Sequence, residues 1–221
     1  MKLFVYCAGG FGKEIYDTAL RANTARPQWD EILFIDDYAQ SGSDFYGTRV
    51  YTFADAVARF DRDTFEVVIA NGEPVHRKAI HDKVVAHGVK LGVVVDSSAI
   101  VSHTATLHPG AILTPHCLAA SLAEVGVNAA INAKAIVGHD VRVGAHTVIS
   151  SMVNIGGACR IGERSYVGMG TQIKEGVTIG NEVIVGMGSV VYNDIPDGMI
   201  ALGNPARPMR PNVDKLVFKK S

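Results

Sequence analysis

Residues 131–149 read INAKAIVGHDVRVGAHTVI, and in this stretch an aliphatic residue returns at every sixth position. The series runs unbroken from Val101 to Val191, and all of its members except Ala119 are Val, Leu or Ile. Four positions after each member the residue is small or β-branched, so every hexad has two positions that face inward. This periodicity predicts a β-helical solenoid, in which each short strand is covered by the next coil.

Glycine often follows the aliphatic residue directly. It suits a sharp corner, either because a side chain there would clash with the next coil or because the backbone needs a positive φ. These glycines are Gly138, Gly144, Gly156, Gly162, Gly168, Gly180 and Gly186.

The first hundred residues carry a different pattern, in which short apolar strands alternate with helices. Apolar residues 2–8 are followed by Gly9-Gly10-Phe11-Gly12 and then by helical spacing over 13–22. This alternation predicts a small Rossmann-like α/β domain with a parallel sheet and right-handed crossovers. The other predicted strands are 31–35, 46–50, 65–70 and 90–95, and the other predicted helices are 54–60 and 74–87.

We therefore predict three segments: an α/β domain over 1–96, a β-helix over 97–192, and a C-terminal cap and tail over 193–221. The stretch 193–211 contains four prolines, so we expect it to leave the solenoid and run irregularly, capping its end or crossing to a neighbour. The last ten residues, with Lys215, Lys219 and Lys220, are expected to form a short solvated tail.

Charge and cysteine content narrow the function classes. The formal net charge is −1 and the charged residues are dispersed, which disfavours nucleic acid and membrane surfaces and favours a small-molecule task. Cys7, Cys117 and Cys159 are far apart and are expected to be free thiols. We see neither a signal-peptide pattern nor an apolar run long enough to span a membrane, so a cytoplasmic protein is expected.

The glycine turn is a candidate anion site, because side-chain-free amides at a helix N-terminus can approach a phosphate closely. Asp36 and Asp37 end the second predicted strand, where a carboxylate can accept hydrogen bonds from a ribose or a base. The turn lacks G-x-G-x-x-G spacing, so a tight structural turn beside a surface acidic pair is the alternative interpretation.

His139 differs from the other histidines in its surroundings. It follows Val137-Gly138, which predicts a corner of the solenoid, and Asp140 comes next. An imidazole beside a carboxylate can act as a base in a fixed tautomer, although a solvent-facing histidine is the simpler alternative. No H-x-H or C-x-x-C spacing predicts a metal site.

Three further motifs accompany the hexads: IVGHD at 136–140, NIGGACRIG at 154–162 and IALGNPARPMR at 200–210. Together they resemble the bacterial hexapeptide-repeat sugar acetyltransferases. This is the sialic acid O-acetyltransferase-like group, which includes N-acetyltransferases of nucleotide-linked amino sugars. The resemblance covers nearly the whole chain. It implies a left-handed parallel β-helix, homotrimers with active sites between adjacent solenoids, acetyl-CoA as co-substrate, and no metal.

The resemblance also implies roles for individual residues. His139 would be the general base, Asp140 its orienting acid, and the Gly157 amide would face the thioester oxygen. The nucleotide-activated sugar would lie at Gly9, Gly10, Phe11, Gly12 and Lys13, with Asp36 and Asp37. Acetyl-CoA would run along Lys174, Gly186 and Met187 towards Gly203, Asn204, Pro205 and Arg207.

Two positions depart from the family pattern. Members often carry His within the glycine loop, where this chain has Phe11, and a second His after the base, where it has Val148. His146 is near enough in sequence to be a candidate for the missing acetyl-CoA contact.

The expected activity is transfer of acetyl from acetyl-CoA to the amino group of a nucleotide-linked sugar in surface polysaccharide or glycan assembly. One alternative is O-acetylation of a sugar or a sialic acid. The other is a non-catalytic trimeric scaffold, which is disfavoured because a scaffold needs neither His139-Asp140 nor the GNPAR stretch.

Overall fold

The computed structural model describes residues 1–218 as an α/β domain followed by a parallel β-helix. The strands of the α/β domain are β1 (Lys2–Tyr6), β2 (Glu31–Ile35), β3 (Asp44–Phe45), β4 (Thr48–Tyr51), β5 (Phe65–Ile69) and β6 (Lys90–Leu91). Its helices are α1 (Gly10–Ala25), α2 (Phe53–Arg59) and α3 (Pro74–Ala86), with a 3-10 turn at Arg62–Thr64. The sheet order is β3-β4-β2-β1-β5-β6, and its pairings are parallel except for the β3–β4 hairpin. This confirms the predicted Rossmann-like domain.

Strand β1 is buried on both faces of the sheet, as its unbroken apolar run predicts. Helix α1 packs closely against the end of this strand through Gly12. A Cβ atom on Gly12 would lie 2.1 Å from the carbonyl oxygen of Cys7. The helix can therefore reach the strand only because residue 12 has no side chain.

The single strand predicted over 90–95 is wrong, because the chain passes from one domain to the other within it. β6 pairs with β5, whereas the next strand, β7 (Val94–Val95), pairs with Ile112–Leu113 of the solenoid. The first strand of the β-helix therefore precedes residue 97, where the sequence suggested that the solenoid begins.

The β-helix is left-handed, and each of its coils contributes one two-residue strand to each of three parallel sheets. We name the sheets face 1, face 2 and face 3. Face 1 contains β7, β10 (Ile112–Leu113), β13 (Ala130–Ile131), β16 (Val148–Ile149), β19 (Tyr166–Val167) and β22 (Ile184–Val185). Face 2 contains β8 (Ile100–Val101), β11 (Leu118–Ala119), β14 (Ile136–Val137), β17 (Asn154–Ile155), β20 (Gln172–Ile173) and β23 (Val190–Val191). Face 3 contains β9 (Thr106–Leu107), β12 (Glu124–Val125), β15 (Arg142–Val143), β18 (Arg160–Ile161) and β21 (Thr178–Ile179).

Glycine after the aliphatic residue was explained either by a clash with the next coil or by a positive φ. The geometry of the corners distinguishes these two explanations. A Cβ on Gly138 would lie 2.6 Å from the Ile155 carbonyl oxygen of the next coil, which confirms the steric explanation. The positive φ falls two residues later, as at Asp140 with φ 60°, so the second explanation is wrong for these glycines. Most of the corner positions with positive φ are occupied by residues other than glycine. Besides Asp140, these residues are His116, Leu122, Asn128, Lys134, His146, Met152, Ala158, Arg164 and Glu182.

The irregular course predicted after the last coil is also wrong. Strand β24 (Met199–Gly203) extends face 1 beside β22, and β25 (Ala206–Pro211) returns antiparallel to it. Proline is tolerated in β25 because this is the edge strand of its sheet. Lys215 forms an ion pair with Glu182 at 2.7 Å, so the chain beyond the hairpin lies against the solenoid rather than free in solvent. Lys219, Lys220 and Ser221 lie outside the described residues.

The α/β domain docks on face 1 of the β-helix. Ile15 and Ala19 of α1 belong to one buried cluster with Ile112, Ala130 and Val148 of the solenoid. Burial of these apolar side chains is the main favourable contribution to docking.

A buried arginine links the same two domains. Arg77 of α3 is fully buried and donates hydrogen bonds to the carbonyl oxygens of Ile69, Asn71 and Asn128. Burial lowers the pKa of Arg77 to about 9. Asn128, at a corner of the solenoid, also returns a hydrogen bond from its Nδ2 to the Arg77 carbonyl at 3.1 Å.

The contact at Gly12 gives a stability prediction. Gly12→Ala should lower the free energy of unfolding by roughly 1–3 kcal/mol, because the new methyl group overlaps the Cys7 carbonyl. Gly10→Ala is the matched control, since no atom lies within 4 Å of its Cβ position. Urea unfolding followed by circular dichroism measures both variants, and equal midpoints would contradict this account of the α1–β1 contact.

Candidate active site

His139 and Asp140 lie at the corner between face 2 and face 3, directly after β14. The His139 side chain is 69% exposed, and its Nδ1 is 2.8 Å from Oδ2 of Asp140. Because a carboxylate can only accept, Nδ1 carries the proton of this hydrogen bond and Nε2 keeps its lone pair. The corner therefore presents a basic nitrogen whose ring is held by a carboxylate.

Gly157 lies one coil further along the same corner. A Cβ on Gly157 would lie 2.4 Å from Nε2 of His139, so the imidazole ring covers the Cα of this glycine. The N–H groups of Gly156 and Ala158 donate to the carbonyls of Ile173 and His139. The Gly157 N–H donates to no residue between 1 and 218, which leaves a free donor next to the base.

The residues expected to hold acetyl-CoA divide between the two edges of face 2. Lys174 follows β20 at the same corner as His139, whereas Gly186 and the exposed Met187 follow β22 at the corner between face 1 and face 2. The hairpin turn of Gly203, Asn204, Pro205 and Arg207 is tied to this second corner by a hydrogen bond from the Gly203 N–H to Oγ of Ser189. One chain alone therefore does not bring all of these residues beside His139.

The prediction that His146 contacts acetyl-CoA is wrong, because this side chain is buried at a third corner, against the α/β domain. His146 Nδ1 is 3.1 Å from Nδ2 of Asn128, and its ring packs edge-on against His81 of α3. Burial, together with the nearby His81, Lys78 and Arg77, lowers the pKa of His146 to about 4.

The glycine turn has two distinct parts. Gly9 and Gly10 are exposed, and a Cβ on either would meet no atom within 4 Å, so this end of α1 is open to a ligand. Gly12 is buried against Cys7, so this glycine also has a packing role. Lys13 is exposed and lies over the rings of Phe45 and Tyr46.

The two aspartates after β2 also differ from each other. Asp37 accepts hydrogen bonds from Tyr6, Lys83 and the Phe53 amide, so its carboxylate is committed within the domain and is poorly suited to a ribose or a base. Burial alone would raise the pKa of Asp37, but these bonds lower it. Asp36 accepts from the amides of Ala8 and Tyr38, at 2.9 and 3.0 Å.

Asp36 lines a cavity of about 360 Å³ at the carboxyl ends of β1, β2 and β5. Its other walls include Cys7, Tyr38, Asn71 and His76. Ligands of open parallel sheets bind at this edge, so the cavity is a candidate nucleotide site.

A second cavity, of about 380 Å³, lies between the glycine turn and the solenoid. It is lined by Gly10, Phe11, Glu14, Gly72, Asn132, Val148, Ser150, Tyr166 and Phe218. The buried Oδ1 of Asn132 accepts no hydrogen bond from any residue in the described range 1–218. Because that oxygen is itself buried, Asn132 is a polar residue of the cavity lining rather than an exposed acceptor.

Sequence reasoning missed the solenoid side of this second cavity. Asn132 and Ser150 occupy the first corner place after Ile131 and Ile149, where half of the hexads have glycine. That departure from the glycine pattern was the available signal.

A groove of about 520 Å³ on face 3 was also missed. Two of its lining residues are Arg142 and Arg160, and Nη1 of Arg160 donates to the Asp140 carbonyl at 2.9 Å. This hydrogen bond connects a wall of the groove to the corner that carries His139. Among residues 1–218, no cluster of three His, Cys, Asp or Glu side chains could hold a metal ion. None of the helices in this range is long and apolar enough to cross a membrane.

Both domains of the chain match known protein families. Residues 2–84 match the PglD N-terminal domain family, and residues 158–193 match the bacterial transferase hexapeptide family. The acetyltransferase domain of PglB from Neisseria gonorrhoeae is 32% identical, with a TM-score of 0.87 over 94% of this chain and 99% of that domain. A second structure of that domain contains acetyl coenzyme A. A search among curated protein sequences returns no significant match.

Two further structures are similar over nearly the same length. PerB from Caulobacter crescentus, in complex with CoA and GDP-perosamine, is 28% identical, with a TM-score of 0.83 over 95% of this chain and 98% of its own. WeeI from Acinetobacter baumannii is 26% identical, with a TM-score of 0.83 over 95% of this chain and 100% of its own. The chain belongs to the family of hexapeptide-repeat sugar N-acetyltransferases.

The buried state of His146 predicts a pH dependence of stability. An unfolded histidine takes up its proton near pH 6.5, whereas folded His146 does so only near pH 4. The free energy of unfolding should therefore fall as the pH is lowered from about 6.5 to about 4. In urea titrations across this range, His146→Gln should show a shallower fall than the wild type, and His103→Gln, at an exposed position, should not. Equal slopes for His146→Gln and wild type would contradict the burial of a neutral imidazole.

Proposed function

We propose that this acetyltransferase moves acetyl from acetyl-CoA to the amino group of a nucleotide-linked amino sugar, in surface polysaccharide or glycan assembly. The observation that carries the proposal is the His139–Asp140 hydrogen bond, with Nε2 of His139 beside the free Gly157 N–H. The structures of relatives with acetyl-CoA, and with CoA and GDP-perosamine, support the two substrate classes.

His139 acts as the general base. As the amine attacks the thioester carbon, Nε2 takes a proton from the amine, and Asp140 stabilises the imidazolium that forms. The Gly157 N–H donates to the developing oxyanion. When the C–S bond breaks, the imidazolium returns the proton to the departing CoA thiolate.

Direct transfer is favoured over an acyl-enzyme because no activated nucleophile lies beside His139. Burial raises the pKa of Cys117 to about 11 and also raises the pKa of Cys159, so neither thiol is readily ionised. Ser150, at the other edge of face 2, donates its hydroxyl hydrogen to Tyr166, which is not a base that could activate it.

The cavity at the carboxyl ends of the strands and the cavity between the glycine turn and the solenoid together supply the acceptor site. Asn71 lines the cavity that contains Asp36, and the adjacent Gly72 lines the cavity beside the glycine turn. We assign the nucleotide to the first cavity and the sugar to the second, whose lining includes the polar side chains of Glu14, Asn132 and Ser150.

A second copy of the chain completes the site, and we propose a homotrimer. His139 is at one edge of face 2, whereas Asn132 and Ser150 of the sugar cavity are at the other edge. Exposed apolar side chains lie on face 2 and along the edge that carries Asn132 and Ser150. A patch of this kind is expected to be covered by another copy of the chain. Its members are Ile100, Ile136, Met152, Met169 and Met187. Closed cyclic assembly covers every copy of the patch and joins each sugar cavity to a neighbour's base.

We further propose a cytoplasmic location. Cys7, Cys117 and Cys159 are free thiols, as expected in a reducing compartment.

The role of His139 gives a kinetic prediction. His139→Ala should lower kcat by about 10²- to 10⁴-fold with little change in KM for acetyl-CoA, because the base acts only as the amine is deprotonated. Thiol release from acetyl-CoA with a panel of nucleotide amino sugars measures the rate. His103→Ala is the control, since that histidine is exposed and outside the site. Near-normal turnover by His139→Ala would remove this residue from the mechanism.

The open glycine turn gives a second kinetic prediction. Gly10→Val should raise KM for the nucleotide sugar by at least about tenfold, because the side chain projects into space assigned to the ligand. KM for acetyl-CoA should stay unchanged and serves as the internal control. Equal KM values for the sugar in wild type and variant would exclude the glycine turn from the acceptor site.

A further inference from the structure

The chain that follows the C-terminal hairpin returns along the solenoid to the α/β domain. Asn212 Nδ2 donates to the Glu182 carbonyl at 2.8 Å, and Lys215 pairs with the Glu182 carboxylate. The amides of Val217 and Phe218 then donate to Oε1 and Oε2 of Glu73, at 2.8 and 3.0 Å. The C-terminal residues are therefore joined to the start of α3, next to Gly72 of the sugar cavity.

Glu73 is arranged to hold this segment. It precedes α3 at the N-cap position, and its carboxylate makes no capping hydrogen bond to its own helix. The residue is only 5% exposed and forms no salt bridge with a cation of residues 1–218. A buried carboxylate is costly unless hydrogen bonds satisfy it, and the two amides of the C-terminal segment supply those bonds.

The same two hydrogen bonds fix the ring of Phe218 at the mouth of the cavity. The ring lies 3.4 Å from the Cβ position of Gly72 and packs edge-on against Tyr166, with the ring centroids 5.6 Å apart. Phe218 nevertheless remains 61% exposed. Phe11 of the glycine turn lines the same cavity.

We propose that segment 215–218 forms a wall of the acceptor-sugar pocket and that Phe218 is a specificity-determining residue for the sugar. The inference rests on the proposed function, which assigns this cavity to the sugar. The exposed ring offers an apolar surface to the C–H face of a pyranose, while Glu14 and Asn132 add polar side chains to the lining of the same cavity. The substituents of the sugar that face the ring are then selected for low polarity.

The first test compares steady-state kinetics of point variants. Phe218→Ala should raise KM for the nucleotide sugar by about five- to tenfold and leave KM for acetyl-CoA unchanged. Phe218→Leu, which keeps an apolar side chain, should lie between Phe218→Ala and wild type. Val217→Pro removes one of the two N–H donors to Glu73 and should raise the same KM. Val213→Ala is the matched control, because Val213 is an exposed residue that lies just before segment 215–218 and does not line the cavity.

The second test measures specificity. The values of kcat/KM are compared for two nucleotide sugars that share the nucleotide and the position of the amino group. One carries a methyl group on C5 of the pyranose ring, and the other carries a hydroxymethyl group there. Phe218→Ala should reduce the discrimination between them at least about threefold, because the apolar wall is lost. A merely structural role for the segment would change the stability of the protein and leave this ratio as in wild type.

The third test is independent of turnover. Hydrogen–deuterium exchange of the C-terminal peptide should slow when the nucleotide sugar is added and should be unaffected by CoA alone. If wild type is active but Phe218→Ala matches it in sugar KM and specificity, the wall proposal is wrong and the proposed function stands. If wild type neither acetylates nor binds any nucleotide amino sugar, both proposals are wrong.

Discussion

The stacking of each coil on the next is the constraint on which the rest of the molecule depends. Backbone hydrogen bonds pair residues 18 positions apart in adjacent coils, as in Leu118 and Ile136, and the inward aliphatic residues fill the interior between them. This register brings Gly157 under His139, and it stacks corner glycines such as Gly138 against the backbone of the next coil. A shift of one residue would expose the core and separate the base from the amide beside it.

Face 1 of the solenoid is where the α/β domain and the C-terminal segment both contact the β-helix. It carries the α/β domain through the apolar contacts of α1 and the carbonyl bonds of Arg77, and it ends in the hairpin from which the C-terminal segment returns. The sugar cavity is built from both domains and from that segment. His139 lies at a different corner, beyond face 2, and this separation is why we assign the complete site to two copies of the chain.

The β-helix and the strand–turn–helix opening were predictable, because periodic burial is written in the sequence as periodic residue types. The His139–Asp140 pair was predictable for a related reason, since its corner position follows from the hexad count. His146 was misjudged because its burial depends on how the α/β domain docks, and no local pattern encodes that contact. Glu73 and Phe218 were missed for the same reason, as their hydrogen bond spans 145 positions. The prolines of β25 suggested an irregular chain because sequence alone does not reveal an edge strand.

Mixed oligomers test most directly whether the site is shared between copies. His139→Ala lacks the base, and Gly10→Val binds the acceptor at least about tenfold more weakly. At a nucleotide-sugar concentration well below KM, the first variant alone should be nearly inactive and the second should keep at most about a tenth of wild-type activity. If the two variants are co-expressed in equal amounts, random assembly in a closed ring should restore about a quarter of the wild-type sites. Activity near that level is the predicted result. Activity no higher than that of the separate variants would mean that the base and the pocket of one site come from the same chain.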